Sequence, residues 1–323
     1  SLAAPICKYA QAMTIPERIP EYVHQAWEAA LTGRPGPVHL TFPIDVQTAE
    51  VDEGLRVAGS IEMPRISPLP AAEDLQYAAE LLAASERPLI VAGNGAFYAG
   101  AEEPLAEFAA AFAVPVCAPI WDRGAMPGPM DEFLGVIGAA SGGPEFLQQA
   151  DLLLLLGAAA DYRVDYLQGS AKVIRVDLVP ERQARRVDLE VTADPGVFLS
   201  QLQEACIEGQ VRGFETWLDE ARRRRDAFCS AVRQQGAAFS AEVRKDGRAV
   251  AAREGGLHAL DVLDALDSVL DPEDVLVVDG GNIGQWFHQT LARRRYPGHW
   301  LSCGASGVVG FGIGGAMPCG CSF

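Results

Sequence analysis

The stretch PLIVAGNG at residues 88–95 is an apolar run that ends in a glycine turn and precedes an amphipathic segment. Similar β-rich runs lie at residues 114–117, 151–156 and 172–177, and stretches with helical spacing separate them. Continuous apolar strands between amphipathic helices are typical of a parallel sheet covered on both faces. The sequence therefore predicts an α/β fold in which helices flank parallel sheets.

The same alternation of strand and helix signals divides the chain into three α/β parts at residues 1–50, 71–210 and 256–323. Prolines and weak periodicity mark residues 51–70 as a linker, and the charged residues 211–255 are predicted to form a helical linker. In the first part we expect a helix over residues 16–31 and a strand over residues 38–42.

Composition excludes several classes of protein. The 323 residues are 49% apolar and 21% charged, which excludes a wholly disordered chain, a collagen-like repeat and a small disulfide scaffold. The formal charge of −17 argues against nucleic acid as a partner, because such a chain repels polyphosphate.

Cysteine usage and hydropathy bear on the compartment. The seven cysteines are scattered and odd in number, which favours a reducing compartment, and we expect a cytoplasmic protein. The uncharged stretch 301–323 is rich in glycine, so we expect close-packed backbone there and no membrane span. No signal peptide is evident, and the missing initiator Met suggests a processed product or a fragment.

The first candidate site is the turn Gly93-Asn94-Gly95, where backbone amides could approach a phosphate at a helix N-terminus. A standard NAD fingerprint also requires an acid at the end of the next strand, and residues 116–119 contain none. Tight packing of strand against helix explains these glycines equally well.

The second candidate site consists of Asp177, at the end of a predicted strand, and Asp194, which follows a further short strand. Carboxylates at the carboxyl edge of a parallel sheet suit ribose hydroxyls or an adenine amino group. Aspartates that cap turns or helices are the equal alternative.

The third candidate site joins residues 279–286 (DGGNIGQW) with the glycine-rich residues 304–315. The first segment follows an apolar strand and begins a helix, so its amides could hold a diphosphate, although packing alone would also explain the glycines. The cysteines near the end lack the paired spacing of a zinc site, and we predict no metal ligands in the chain.

The order of these pieces resembles the thiamine-diphosphate enzymes of the acetolactate synthase type. The segments that carry the resemblance are PICKY at 5–9, IPERIP at 15–20, GRPGPVHL at 33–40, PIDV at 43–46, PLIVAGNG at 88–95, VPV at 114–116, LGA at 156–158, DYRV at 161–164, DGGN at 279–282 and GASGVVGFG at 304–312. They extend over nearly the whole chain, which makes the resemblance fairly specific.

The resemblance implies that residues 1–50 end a pyrimidine-binding domain, residues 71–210 form a central nucleotide-binding-like domain, and residues 256–323 begin a diphosphate-binding domain. It also implies decarboxylation or carboligation of 2-oxo acids with thiamine diphosphate and Mg²⁺, in a homodimer or homotetramer. The residues that would contact thiamine diphosphate are Gly280, Gly281, Asn282, Ile283, Gly307, Val308 and Val309.

The sequence departs from the family pattern at several places. The family's base-positioning glutamate would precede residue 1, and its Mg²⁺-binding Gly-Asp-Gly segment would follow Met317. We therefore expect no catalytic residue or metal ligand within this chain, truncation at both ends and negligible activity of the chain alone. Ile283 and Val309 stand where the family often has His and Met, and Ala159 replaces an arginine of its flavin-binding members.

An alternative function of a different class is a non-catalytic module that binds FAD, ADP or an acyl-CoA and serves assembly or regulation. The candidate ligands for an adenine nucleotide are Gly93, Asn94, Gly95, Asp177 and Asp194. A structural remnant that binds nothing is the third interpretation.

Overall fold

The computed structural model describes residues 2–52, 67–122, 130–140, 142–180, 187–245, 259–271, 274–290, 300–304 and 307–321. The chain divides into two compact units, residues 1–68 and 69–323. Each unit has its own sheet or sheets.

In the first unit, strands β1 (Tyr9–Ala12) and β2 (Val38–Thr41) pair in parallel, and helix α1 (Ile19–Leu31) connects them. A 3₁₀ turn at Pro16–Arg18 precedes α1, because proline fits the first turn of a helix. The short helix α2 (Ile44–Gln47) follows β2. The predicted helix and strand are confirmed, whereas β1, four residues without a β-branched side chain, was not predicted.

The second unit contains a parallel sheet, as the sequence predicts, and this sheet has six strands. Its strands are β3 (Pro88–Ala92), β4 (Val116–Pro119), β5 (Phe133–Ile137), β6 (Leu152–Leu156), β7 (Lys172–Asp177) and β8 (Leu189–Thr192), in the order β5-β4-β3-β6-β7-β8. Every residue of β3 and β6 is buried, which accounts for their unbroken apolar sequences. The sequence did not predict β5, which Gly135 interrupts with a φ of 109°.

Helices pack against this sheet. They are α3 (Ala72–Ala83), α4 (Asn94–Ala99), α5 (Glu102–Phe112), α6 (Phe146–Gln149), α7 (Pro195–Glu208) and α8 (Glu215–Lys245). The beginning of α8 joins the core through the buried side chains of Trp217, Leu218 and Ala221. The indole N–H of Trp217 donates to the carbonyl of Pro88 at 2.9 Å, so α8 is fastened to the sheet at its first turn.

The last part of the second unit contains α9 (Ala259–Asp267), β9 (Leu276–Val278), α10 (Asn282–Thr290), β10 (Trp300–Ser302) and α11 (Phe311–Cys321). Strands β9 and β10 pair in parallel, with Leu276 opposite Trp300. Among the described residues, no helix is long and apolar enough to cross a membrane.

An aromatic contact joins this last part to the six-stranded sheet. His288 of α10 is 1% exposed and lies edge-on between Trp121, which follows β4, and Trp300 of β10. The ring centroids are 5.0 Å and 4.9 Å away, respectively, and no described residue bonds either imidazole nitrogen. Burial without a partner lowers the pKa of His288 from 6.5 to about 3.

The lowered pKa predicts acid sensitivity that His288→Phe should remove. Unfolded His288 takes up a proton below pH 6.5, whereas the folded side chain stays neutral to about pH 3. Stability is therefore lost as the pH falls, by about 2 kcal/mol between pH 7 and pH 5 from this group. Urea unfolding followed by tryptophan fluorescence should show a smaller loss in the variant than in the wild type. Equal losses in both proteins would contradict the prediction.

Candidate functional site

Two glycine-containing segments meet at one edge of the β9–β10 pair. Residues 279–281 follow β9 and lead into α10, and residues 307–310 lie between β10 and α11. Because β9 and β10 run in parallel, both segments leave the carboxyl ends of their strands at the same edge. Ligands of open α/β sheets bind at this edge.

The two segments are in backbone contact at Gly280. Its N–H donates to the carbonyl of Val308 at 3.1 Å. A Cβ atom placed on Gly280 would overlap the carbonyl oxygens of Gly307 and Val308, so only glycine allows this approach. The contact fixes the spacing between the two segments.

Asp279 provides a second link between the segments. Its carboxylate accepts hydrogen bonds from the N–H groups of Gly280 at 2.8 Å, Gly310 at 2.9 Å and Phe311 at 3.1 Å. Desolvation opposes ionisation, but the backbone N–H donors outweigh it and hold the pKa of Asp279 below its ordinary value. Asp279 therefore stays ionised at neutral pH and occupies the N-terminus of α11 with its negative charge.

The N-terminus of α10 is open. The first N–H groups of a helix have no partner within it, and no described residue accepts a hydrogen bond from Asn282 or Ile283 there. Gly281, at a φ of 94°, turns the chain into this helix. These amides and the positive end of the helix can bind an anion.

Exposed apolar side chains lie beside these amides. Ile283 is 44% exposed, Val308 51% and Val309 78%. A methyl carbon of Val309 lies 3.8 Å from where a Cβ of Gly281 would be. An anion site beside an apolar surface suits a ligand with an anionic tail and a ring.

The structure thus brings together the seven residues that the resemblance assigns to thiamine diphosphate: Gly280, Gly281, Asn282, Ile283, Gly307, Val308 and Val309. Asp279 lies within the third candidate segment, residues 279–286, but sequence analysis gave it no role of its own, although its place at the end of an apolar strand was a usable signal. Sequence analysis also missed Trp121, whose indole lies next to Gly284 and Gly307, because nothing local in the sequence indicates that proximity.

The turn at residues 93–95 is engaged in packing. The N–H of Gly93 donates to Leu156, that of Gly95 to Gly157, and that of Asn94 to the Asp122 carboxylate. A Cβ on Gly95 would lie 2.6 Å from the Cα of Gly157. The geometry supports the packing explanation, because these three amides already have acceptors.

Asp177 and Asp194 lie at the carboxyl edge of the six-stranded sheet, where each has a structural partner. Asp177 pairs with the buried Arg175 at 2.9 Å, and Arg175 also pairs with Glu190. Asp194 caps α7 by accepting from the N–H groups of Gly196 and Val197. Both contacts support the structural alternative for these residues.

A buried charge network lies at the same edge. Arg163, 3% exposed, pairs with Asp122 at 2.5 Å and with Asp161 at 2.9 Å. Burial raises the pKa of Asp122, although Arg163 and the Asn94 amide act in the opposite direction. Among the described residues, no three His, Cys, Asp or Glu side chains form a group that could hold a metal.

Comparison with known proteins shows what the chain is similar to. Residues 75–202 match the thiamine pyrophosphate enzyme central domain. A probable acetolactate synthase large subunit from Methanocaldococcus jannaschii is 30% identical over 327 residues, which are 98% of this chain and 53% of that protein. The acetolactate synthase large subunit of Corynebacterium glutamicum is 26% identical over 98% of this chain and 49% of its own length.

A decarboxylase and a solved structure are also similar to this chain. A probable 2-ketoarginine decarboxylase from Pseudomonas aeruginosa is 33% identical over 56% of this chain and 32% of that protein. Benzoylformate decarboxylase from Polynucleobacter necessarius shares the fold, with a TM-score of 0.65 and 18% identity over 93% of this chain and 52% of its own. The chain spans about half the length of the acetolactate synthase relatives it matches. Over nearly its whole length the chain is therefore similar to thiamine-pyrophosphate-dependent enzymes of the acetolactate synthase type.

Proposed function

We propose that this chain takes part in thiamine-pyrophosphate-dependent decarboxylation or carboligation of 2-oxo acids. The observation that carries the proposal is the pairing of two glycine segments at one strand edge, with an open helix N-terminus beside exposed apolar side chains. In this proposal residues 1–50 end a pyrimidine-binding domain, residues 71–210 are the central domain and residues 256–323 begin a diphosphate-binding domain.

The residues present fit one side of a thiamine pyrophosphate site. The N–H groups of Asn282 and Ile283 would bind the diphosphate, because those of Gly310 and Phe311 are already bonded to Asp279. Val308 and Val309 would offer an apolar surface to the rings and exclude water from them. When bound, the cofactor supplies the electron sink for the carbanion that remains after carbon dioxide leaves.

Several finer points belong to the same proposal. The substrate would be a 2-oxo acid, in keeping with the relatives named acetolactate synthase and 2-ketoarginine decarboxylase. Mg²⁺ would accompany the diphosphate, with ligands from outside this chain, in a cytoplasmic homodimer or homotetramer. FAD and ADP are not included, because Asp177, Asp194 and the amides of residues 93–95 already have partners within the protein.

Calorimetric titration of the chain tests the proposal directly. Thiamine pyrophosphate with Mg²⁺ should bind, and FAD, ADP and coenzyme A should not. Binding of one of those three without thiamine pyrophosphate would instead establish the non-catalytic alternative. Carbon dioxide release from pyruvate, measured on the native protein purified from its source, should require added thiamine pyrophosphate; turnover without it would contradict the proposal.

A charge placed at the open helix N-terminus should weaken cofactor binding. Ile283→Asp puts a carboxylate beside the amides of α10, where it favours the helix but repels a diphosphate, so the affinity for thiamine pyrophosphate should fall about tenfold or more. Val269→Asp, at a side chain that is 73% exposed, makes the same charge change elsewhere in this unit and should have no effect. Equal affinities of the two variants would place the diphosphate elsewhere.

Replacement of Asp279 tests whether its carboxylate mainly positions the two glycine segments or mainly repels the diphosphate. Asp279→Asn removes the charged acceptor that joins the two segments, so cofactor affinity should fall by roughly tenfold although one negative charge is lost. Tighter binding would mean that repulsion by Asp279 outweighs its positioning role. The control is Asp264→Asn, which removes the charge of an exposed aspartate on α9.

A further inference from the structure

Trp121 adopts a strained and nearly buried conformation. It is 6% exposed and follows β4, and its φ of 71° lies in the left-handed region that bulky side chains rarely occupy. Such a conformation persists only where the surroundings hold it, and it is concentrated at functional sites.

Neighbouring contacts hold this conformation. The hydroxyl of Ser302, the last residue of β10, donates to the carbonyl of Trp121 at 2.5 Å. The next residue, Asp122, is fixed by the buried Arg163 and accepts bonds from the backbone and side-chain N–H groups of Asn94, both at 3.1 Å. Trp121 is therefore anchored on one side by the central sheet and on the other by the β9–β10 pair.

The indole of Trp121 lies against both glycine segments. A Cβ on Gly284, in the first turn of α10, would lie 2.9 Å and 3.0 Å from two of its ring carbons, and a Cβ on Gly307 would lie 3.5 Å from its ring nitrogen. A single aromatic side chain thus lies beside the helix that follows β9 and beside the loop that follows β10. Its third ring contact is His288.

We propose that Trp121 is a positioning residue for the thiamine pyrophosphate site. Its indole packs beside the helix that carries Asn282 and beside the loop that carries Val308, and so holds both segments at the spacing that the Gly280 contact sets. The inference rests on the proposed function, since it names the central-domain side chain on which the geometry of that site depends. Trp121 would thus connect the central domain to the thiamine pyrophosphate site, although none of the residues predicted to bind an adenine nucleotide lies at that site.

Hydrogen exchange of the ligand-free full chain tests the positioning itself. Trp121→Ala should accelerate amide exchange in residues 280–285 and 307–310 by about tenfold or more, because a rigid support is lost from both. Trp121→Phe keeps an aromatic ring and should show a smaller effect. The matched control is Trp217→Phe, since Trp217 is also buried but packs in the core of the central sheet, where its indole N–H donates to the carbonyl of Pro88.

Residues 152–156 of β6 serve as the internal reference. Acceleration in Trp121→Ala that is no greater in the two segments than in β6 would show general destabilisation and would overturn the proposal. Acceleration confined to the two segments, together with a tenfold or greater loss of calorimetric affinity for thiamine pyrophosphate, would support it. If the wild type binds no thiamine pyrophosphate while the exchange result holds, the proposed function fails and the positioning of the segments by Trp121 stands.

Discussion

The candidate site depends on one close approach of backbone to backbone, the contact of Gly280 with the carbonyls of Gly307 and Val308. Parallel pairing of β9 with β10 brings the two chains to the same edge, but it does not set how closely their loops approach there. The absence of a Cβ atom at Gly280 is what lets the two loops approach so closely. The Asp279 carboxylate then accepts hydrogen bonds from the N–H groups of Gly310 and Phe311, at the far end of the second loop. A larger residue at position 280 would separate the amides of α10 from the apolar side chains of Val308 and Val309, so the site could no longer offer both surfaces to one ligand.

Two glycine turns with similar sequence signals have different surroundings in this protein. Both follow an apolar strand and precede a helix, which is the local pattern of a phosphate-binding turn. At residues 93–95 the amides donate to Leu156, Gly157 and Asp122, so the glycines serve the packing of neighbouring turns. At Asn282 and Ile283 the amides have no acceptor among the described residues. The difference lies in what the rest of the fold places opposite each turn, and the local sequence does not contain that information.

The same reasoning explains which features could be predicted from the sequence. Strands such as β6 and β7 are buried almost throughout, so their composition alone identifies them, whereas β1 has only four residues, none of them β-branched, and Gly135 weakens the strand pattern of β5. The resemblance named the residues of both glycine segments, which the structure brings together. Asp177 was interpretable as a ligand or as a structural residue until its ion pair with Arg175 was seen. Trp121 could not be found in this way, because its contacts with Gly284 and Gly307 span more than 160 residues of chain and have no local pattern.

Electrostatics decides between the two helix N-termini that the strand edge presents. An ionised carboxylate next to a proposed diphosphate site is unfavourable unless its charge is compensated, and this chain already carries a formal charge of −17. The charge of Asp279 is directed at the amides of Gly310 and Phe311, which keep it ionised and neutralise part of its field. That arrangement removes the N-terminus of α11 from competition for an anion. Among the described residues nothing accepts a hydrogen bond from the amides of Asn282 and Ile283, so the N-terminus of α10 is the end at which the proposed diphosphate would gain the most.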